Sequence, residues 1–332
     1  MSIGAAETLP FSSGGLGFLD GAPSPEGGAG PIAARSPRQL FWRRFRQDRV
    51  ALASLAFIVL LVVLAVAAPL IVNLLGLPGP NVANANLTNA FGAPLGPSRA
   101  HPFGVDQLGQ DVMSRVIYGA RVSLLVGVFG TAIATVIGVF IGVVAGYRRG
   151  WLDTLLSRLI DVVLAIPILL LGLGLGAACA VRGCVKGLVQ PGLGSIIFII
   201  VLANWTYVAR IVRGLVLSLR EREFVEASRA LGASHSRIMR REILPNLLAP
   251  IVVYSTLLIP ANILLEAALS FLGVGIRPPT VSWGQMIAQA TPIFNTAWWC
   301  IVFPGIALLA TVLAFNLLGD GLQDALSPRA AR

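Results

Sequence analysis

The chain has 332 residues, a mean hydropathy of +0.81, only 12% charged side chains and a formal net charge of +10. Soluble domains carry about 25% charged residues, so this composition excludes a soluble globular protein and defines an integral membrane protein. The positive charge does not point to nucleic acid, because it is segregated by side of the membrane rather than gathered on one basic face.

Residues 1–34 are rich in Gly, Ser and Pro. They lack the apolar block of a cleaved signal peptide and read as a disordered cytoplasmic tail, so the first span is expected to act as its own insertion signal. The next segment, RSPRQLFWRRFRQDRV, interleaves Arg with Leu40, Phe41, Trp42 and Phe45. This predicts an amphipathic helix at the inner interface, either a basic anchor for the first span or a docking element. Apolar stretches of about 20 residues, the length that crosses a bilayer, occupy 50–72, 122–146, 159–180, 193–213, 248–271 and 298–319. Six transmembrane helices are therefore predicted.

After the first span, residues 73–105 are rich in Asn, Pro and Gly; Leu108, Val112, Val116 and Ile117 then fall at helical spacing. A short surface helix is expected there, before the second span. Asp106 and Asp111 lack the ligand alternation of a calcium loop and are read as capping and solvated residues, so no metal site is assigned. Gly138, Gly142 and Gly146, and then Gly172 and Gly176, recur every fourth residue, which clears a helix face for close packing. Pro167, Pro260 and Pro304 interrupt apolar spans, where kinks are tolerated. Asp161 lies one turn from Arg158 and is expected to pair with it locally. Cys179 and Cys184 flank AVRG on the outer side and either form a local bridge or remain free thiols. Cys300 is expected to pack as a small hydrophobe.

Six Arg precede residue 50, three lie in 147–158, eight in 210–241 and two at the C-terminal end. The opposite side holds six basic residues, Arg99, Arg115, Arg121, Arg182, Lys186 and Arg277. This 19-to-6 split is the positive-inside asymmetry and places both termini in the cytoplasm.

The most informative segment is GLVLSLREREFVEASRALGASHSRIMRREILPN, residues 214–246. From Arg213 through Glu242 it carries eleven charged side chains, so it must leave the hydrocarbon. It starts as a continuation of the fourth span. A helix over Glu223 to Leu231 follows, with Phe224, Ala227, Ala230 and Leu231 on one side and Arg222, Glu226 and Arg229 on the other. Gly232 occupies the position where a left-handed turn ends a helix. Ser234 is placed to cap the next one, which is expected to end at Leu244-Pro245. Helix, turn and helix form either a lever between two spans or a solvated amphipathic loop.

Glu226-Ala227-Ser228, Gly232 six residues after Glu226, and Leu244-Pro245 starting twelve residues after Gly232 together resemble the "EAA…G…LP" loop of ABC importer permeases. Ser228 replaces the second Ala, and Glu242 stands where the general pattern has Ile, with Ile243 one position later. HPFGVDQLGQDVMSRVIYGARVSL at 101–124, EAALSFLGVGIRPPTVSWGQM at 266–286 and TVLAFNLLGDGLQDALSPR at 311–329 are similar to blocks of the C-type subunit in the dipeptide/oligopeptide/nickel branch.

The resemblance implies an all-α integral membrane protein of the bacterial inner membrane with the type I importer permease fold. Residues 35–120 would hold the interfacial helix, first span and external segment; residues 121–326 would form the permease core, with a cytoplasmic coupling loop at 214–246. It implies a second permease subunit, two ATPase subunits and an external substrate-binding protein as partners, and dipeptides or oligopeptides as cargo. Phe224, Val225, Glu226, Ala227, Ser228, Arg229, Ala230, Leu231 and Gly232 would dock on an ATPase subunit, which would carry ATP and Mg. The chain itself has no Walker A motif, since its sole lysine, Lys186, precedes Gly187. Neither HExxH nor GxSxG occurs, so a non-catalytic subunit is expected. Asn204, Asn262 and Glu266 are polar residues in or near spans and are candidates for the translocation path. Glu266 serves either as a structural hydrogen-bonding group or as a contact for a substrate amine. An ion-coupled secondary transporter is the competing reading, but the inverted repeats usual in that class are not evident.

Overall fold

The computed structural model describes residues 37–89, 93–181 and 183–326; the expected tail over 1–34 and the last six residues lie outside that set. Its first element, α1 (Pro37–Gln47), carries the predicted Arg–aromatic pattern and sinks Phe45 into the core beside the last helix. Asp48 then accepts from the backbone N–H groups of Val50 and Ala51 at 2.9 and 3.0 Å and so caps α2 (Arg49–Val66). Pro69 has no N–H to donate and its ring crowds the carbonyl four residues back, so α2 stops short and a separate α3 (Ala68–Leu74) follows. The first expected span is thus split near its end.

The expected surface helix before the second span is not a separate element. Asp111 caps a single 37-residue helix, α4 (Val112–Arg148), by accepting from Ser114 N at 2.7 Å, and no proline interrupts it. At about 1.5 Å per residue, α4 is about 55 Å long and outreaches a hydrocarbon core of about 30 Å. The third expected span is bent. Ile166 adopts the extended conformation that a following proline favours, and α5 (Trp151–Ala165) and α6 (Ile168–Cys179) meet at 84° around Pro167.

After α7 (Leu193–Leu219) come α8 (Glu223–Ala230), α9 (His235–Ile238), a π turn (Met239–Ile243) and α10 (Leu244–Phe271). The helix was expected to end at Leu244-Pro245 but runs on into α10 through the π turn. Pro245 would clash with the carbonyl four residues before it in a regular α-helix, and widening the turn accommodates it. At the same junction Asn246 Nδ2 donates to Glu242 O at 2.6 Å. Two further helices, α11 (Trp283–Ala290) and α12 (Trp299–Leu326), complete the described chain. Among the described residues five continuous helices are long and apolar enough to span, and the bent α5–α6 pair supplies a sixth crossing if counted as one.

The glycine periodicity builds the most extensive helix contact. A Cβ at Gly138 would lie 2.7 Å from Trp205 O, one at Gly142 2.7 Å from Ala209 O, and one at Gly146 2.9 Å from Arg213 O. The α4 glycines therefore let the α7 backbone approach directly. Gly172 of α6 makes room for the Leu269 side chain, and Gly176 for Val274. Pro260 and Pro304 sit inside continuous α10 and α12.

At the end of the bundle remote from α8, the segment before α4 is fastened to α12. Trp299 Nε1 donates to Val105 O at 3.0 Å, Cys300 Sγ lies 3.3 Å from the same oxygen, and Phe103 stacks on Phe303 at 4.0 Å. Cys179 and Cys184 are joined by a disulfide that closes a short loop at this end.

Candidate functional site

The segment from Arg220 to Ile243 forms a short projecting unit at the arginine-rich end of α4, α7 and α10. Its first helix, α8, is held by a single inward side chain. Val225 is fully buried with Val216 of α7, Tyr147 of α4, Ile238 and Ile243 of the α9–π segment, and Leu247 of α10. Val225 therefore faces the protein's own core, which corrects its place in the expected docking stretch. The residues that sequence reasoning did not single out, Tyr147, Ile238 and Leu247, are the ones that hold α8 in place. Their signal was weak, because apolar residues at helix ends are common.

The opposite face of α8 is open. Phe224 is 39% and Leu231 88% exposed, and Glu226, Ala227, Arg229 and Ala230 are exposed beside them. Ser228 is half-buried. Leu231 is the most exposed of the large apolar side chains described, on an otherwise polar surface.

Gly232 ends α8 with φ +77°, in the left-handed region. Its N–H donates to Arg229 O at 3.0 Å and the N–H of Ala233 to Ser228 O at 3.1 Å, the paired bonds of a Schellman motif. No atom lies within 4 Å of where its Cβ would be, so the requirement for glycine is conformational rather than steric. Ser234 caps α9 as expected, accepting from Arg237 N at 3.4 Å. The π turn also accounts for the departure at Glu242. Such a turn holds one residue more than an α turn, so Ile243, one position later than the general pattern, is the side chain that reaches the core.

Polar contacts tie this unit to the spans. Tyr147 Oη and His235 Nδ1 are 3.0 Å apart, and Arg220 donates to Tyr147 O at 2.9 Å. Partial burial, and then the neighbouring Arg149 and Arg229 charges, hold the Arg220 guanidinium below its usual pKa range. Arg149 pairs with Glu221. Deeper along α7, Arg213 grips Asp153 of α5 with Nε at 2.5 Å and Nη2 at 2.9 Å. Asp161 pairs with Arg210 of α7, not with Arg158 as expected, because the two face each other across the α5–α7 contact.

The polar residues in or near the spans fall into two buried sets. Asn204 Nδ2 donates to Asn262 Oδ1 at 2.9 Å, and Asn262 Nδ2 donates to Thr131 Oγ1 at 2.8 Å, linking α7, α10 and α4. Glu266 is completely buried, and Ser123 of α4 and Ser270 donate to its carboxyl group at 3.2 and 2.7 Å. Glu266 and Asn262 thus join helices to one another, and Asn204 also borders a cavity between α6, α7 and α10.

A short helical unit projects from a bundle of apolar helices long enough to cross a membrane, and comparison with known proteins places the chain among transporter membrane subunits. Residues 138–332 match the family described as binding-protein-dependent transport system inner membrane component, and residues 36–88 match the N-terminal TM domain of oligopeptide transport permease C. The chain belongs to this family of inner membrane components: it is a permease subunit of an ABC importer and a multi-pass protein of the bacterial inner membrane.

Among its relatives, a dipeptide transport system permease protein of Bacillus subtilis (strain 168) is 42% identical over 292 residues, 88% of this chain and 85% of that one. A glutathione transport system permease protein of Escherichia coli O6:K15:H31 (strain 536 / UPEC) is 42% identical over 304 residues, 90% of this chain and 93% of that one. An inward-facing structure of the MetNI methionine ABC transporter (CY5 SeMet soak crystal form) shares the fold, with a TM-score of 0.54 and 22% identity over 65% of this chain and 98% of that one.

Proposed function

We propose that this chain is the C-type permease of a peptide importer and that α8 is the element through which ATPase subunits drive it. The observation that carries the reading is the two-sidedness of α8. Val225 roots it among α4, α7 and α10, while Phe224, Ala227 and Leu231 lie open on the other side. A helix fixed to three membrane helices transmits a push directly to them, and an exposed apolar stripe flanked by Glu226 and Arg229 fits a shallow groove with a polar rim.

The full machine on this reading contains a second, B-type permease, two ATPase subunits that bind ATP and Mg, and an external binding protein. The arginine-rich end, with both termini, faces the cytoplasm. Peptides, glutathione included, are the proposed cargo, by analogy with the named relatives at 42% identity. Closure of the ATPase pair would move α8, and the two access states would differ in energy only through contacts made in one and not the other.

Purification of the solubilised importer tests this directly. Leu231→Asp with Phe224→Asp should strip the ATPase subunits from the complex while this chain remains in the membrane. Retention of those subunits at wild-type stoichiometry would overturn the docking assignment. Uptake driven by an ion gradient without ATP would overturn the importer mechanism itself.

A further inference from the structure

A groove of 490 Å³ opens between α4, the π turn and the first turns of α10. One wall follows α4 from Thr135 to Val144, about 13 Å of helix, which is close to half of a hydrocarbon core about 30 Å thick. The groove is therefore about as deep as one leaflet. Phe140, Val143, Leu248 and Ile251 make its walls apolar, and Thr135, toward the middle of α4, is already bonded to Ser255 at 3.0 Å. That end of the groove offers hydrocarbon contacts and little else.

The other end opens onto a second hollow of 340 Å³, lined by Ser234, Ser236, Arg237, Arg240 and Arg241. Ser236 and Arg240 line both, so the two are continuous. Among the described residues none of the three guanidinium groups pairs with a carboxylate, and the Ser236 hydroxyl has no hydrogen-bond partner. No acidic side chain lines either hollow, Glu242 included.

We propose that this joined site holds one anionic glycerophospholipid, with its phosphate among Arg237, Arg240 and Arg241 and an acyl chain in the groove along α4 and α10. A basic pocket between spans at the membrane boundary suits a phosphate headgroup. A zwitterionic headgroup is the poorer fit, because it brings its own ammonium up against three arginines that have no counter-charge. Met239 and Arg240 of the π turn are walls of the groove, so the bound lipid ties the projecting unit to α4. No residue of α8 lines the site, which stands whether or not α8 receives an ATPase subunit.

Photolabelling of the assembled importer tests the site. The importer is reconstituted in phosphatidylcholine vesicles with a trace of phosphatidylglycerol that carries a diazirine in its acyl chain, then illuminated and digested. The expected label falls on the segments 135–144 and 244–251, and excess unlabelled phosphatidylglycerol lowers it where the same addition of phosphatidylcholine does not. Arg240→Gln should lower the yield about fivefold, the worth of one basic residue beside an anionic headgroup. Arg240→Lys should retain most of it. The triple variant Arg237→Gln, Arg240→Gln, Arg241→Gln should fall to the level of a diazirine-bearing phosphatidylcholine. Leu248→Trp, at a position 55% exposed, fills the groove without touching the arginines and should lower the label too.

Equal labelling by the two lipid probes, or wild-type labelling of the triple variant, reduces the groove to bulk-lipid contact and overturns the site. Absence of label from both segments overturns it as well, since a partner subunit then covers the groove. Loss of label on adding inorganic phosphate alone makes the hollow a phosphate pocket and likewise overturns the assignment.

Discussion

Gly232 and Val225 play opposite parts within a few residues of each other. Gly232 has free space around it but a backbone that side chains resist, so Gly232→Val should strain the left-handed turn by about 1–2 kcal/mol. Immunoblotting of membranes should show the variant inserted at wild-type level while uptake is lost; unchanged uptake would remove the turn from the coupling mechanism. Val225 is the reverse case, a side chain with an ordinary backbone and no free space. Val225→Ala removes two buried methyl groups, worth about 2 kcal/mol with the cavity included. Limited proteolysis should then cut between Arg220 and Arg241 faster, because α8 loses its root. Asn262 is a third type, a polar residue whose removal strands two others. Asn262→Leu leaves Asn204 and Thr131 without their shared partner, and interhelical polar bonds of this kind are worth about 0.6–1.7 kcal/mol in membranes. A drop in melting temperature of the detergent-solubilised protein would register it.

Helix elements were legible where their physics is local. Apolar runs, the fourth-residue glycines, the Gly232 stop and the Ser234 cap depend on neighbours in sequence, and each has its counterpart in the structure. Contacts that depend on distant residues were not legible. Asp161 has Arg158 one turn away in sequence, yet its partner Arg210 belongs to another helix. The inward rotation of Val225 follows from where α4 and α10 pack, which the eight residues of α8 do not encode. The π turn before Pro245 was visible only as a one-residue misfit at Glu242. The glycine stripe gives a sharp test at this scale. Gly142→Ala places a methyl 2.7 Å from Ala209 O and should destabilise the protein by about 1–3 kcal/mol through overpacking. Gly174→Ala on α6, with nothing within 4 Å, is the matched control and should leave the melting temperature unchanged or slightly raised. Equal melting temperatures for the two variants would mean that α4 and α7 do not meet as described.

For the molecule as a whole, one end is rich in arginine and tied by ion pairs, and the other is closed by tryptophan–backbone bonds and a disulfide. Cytoplasmic thiols are kept reduced, so a bridge between Cys179 and Cys184 forms only on a loop that has crossed the membrane. Every copy of the chain therefore carries a chemical record of its own insertion. With Cys300 free, a correctly oriented molecule has one thiol, and a molecule stalled or inverted in the cytoplasm has three. Mass-tagged maleimide, applied to denatured membranes before and after reduction, should count one and then three. The ratio of the two species in a growing cell gives the fidelity of topogenesis molecule by molecule, with no reporter fused to the protein.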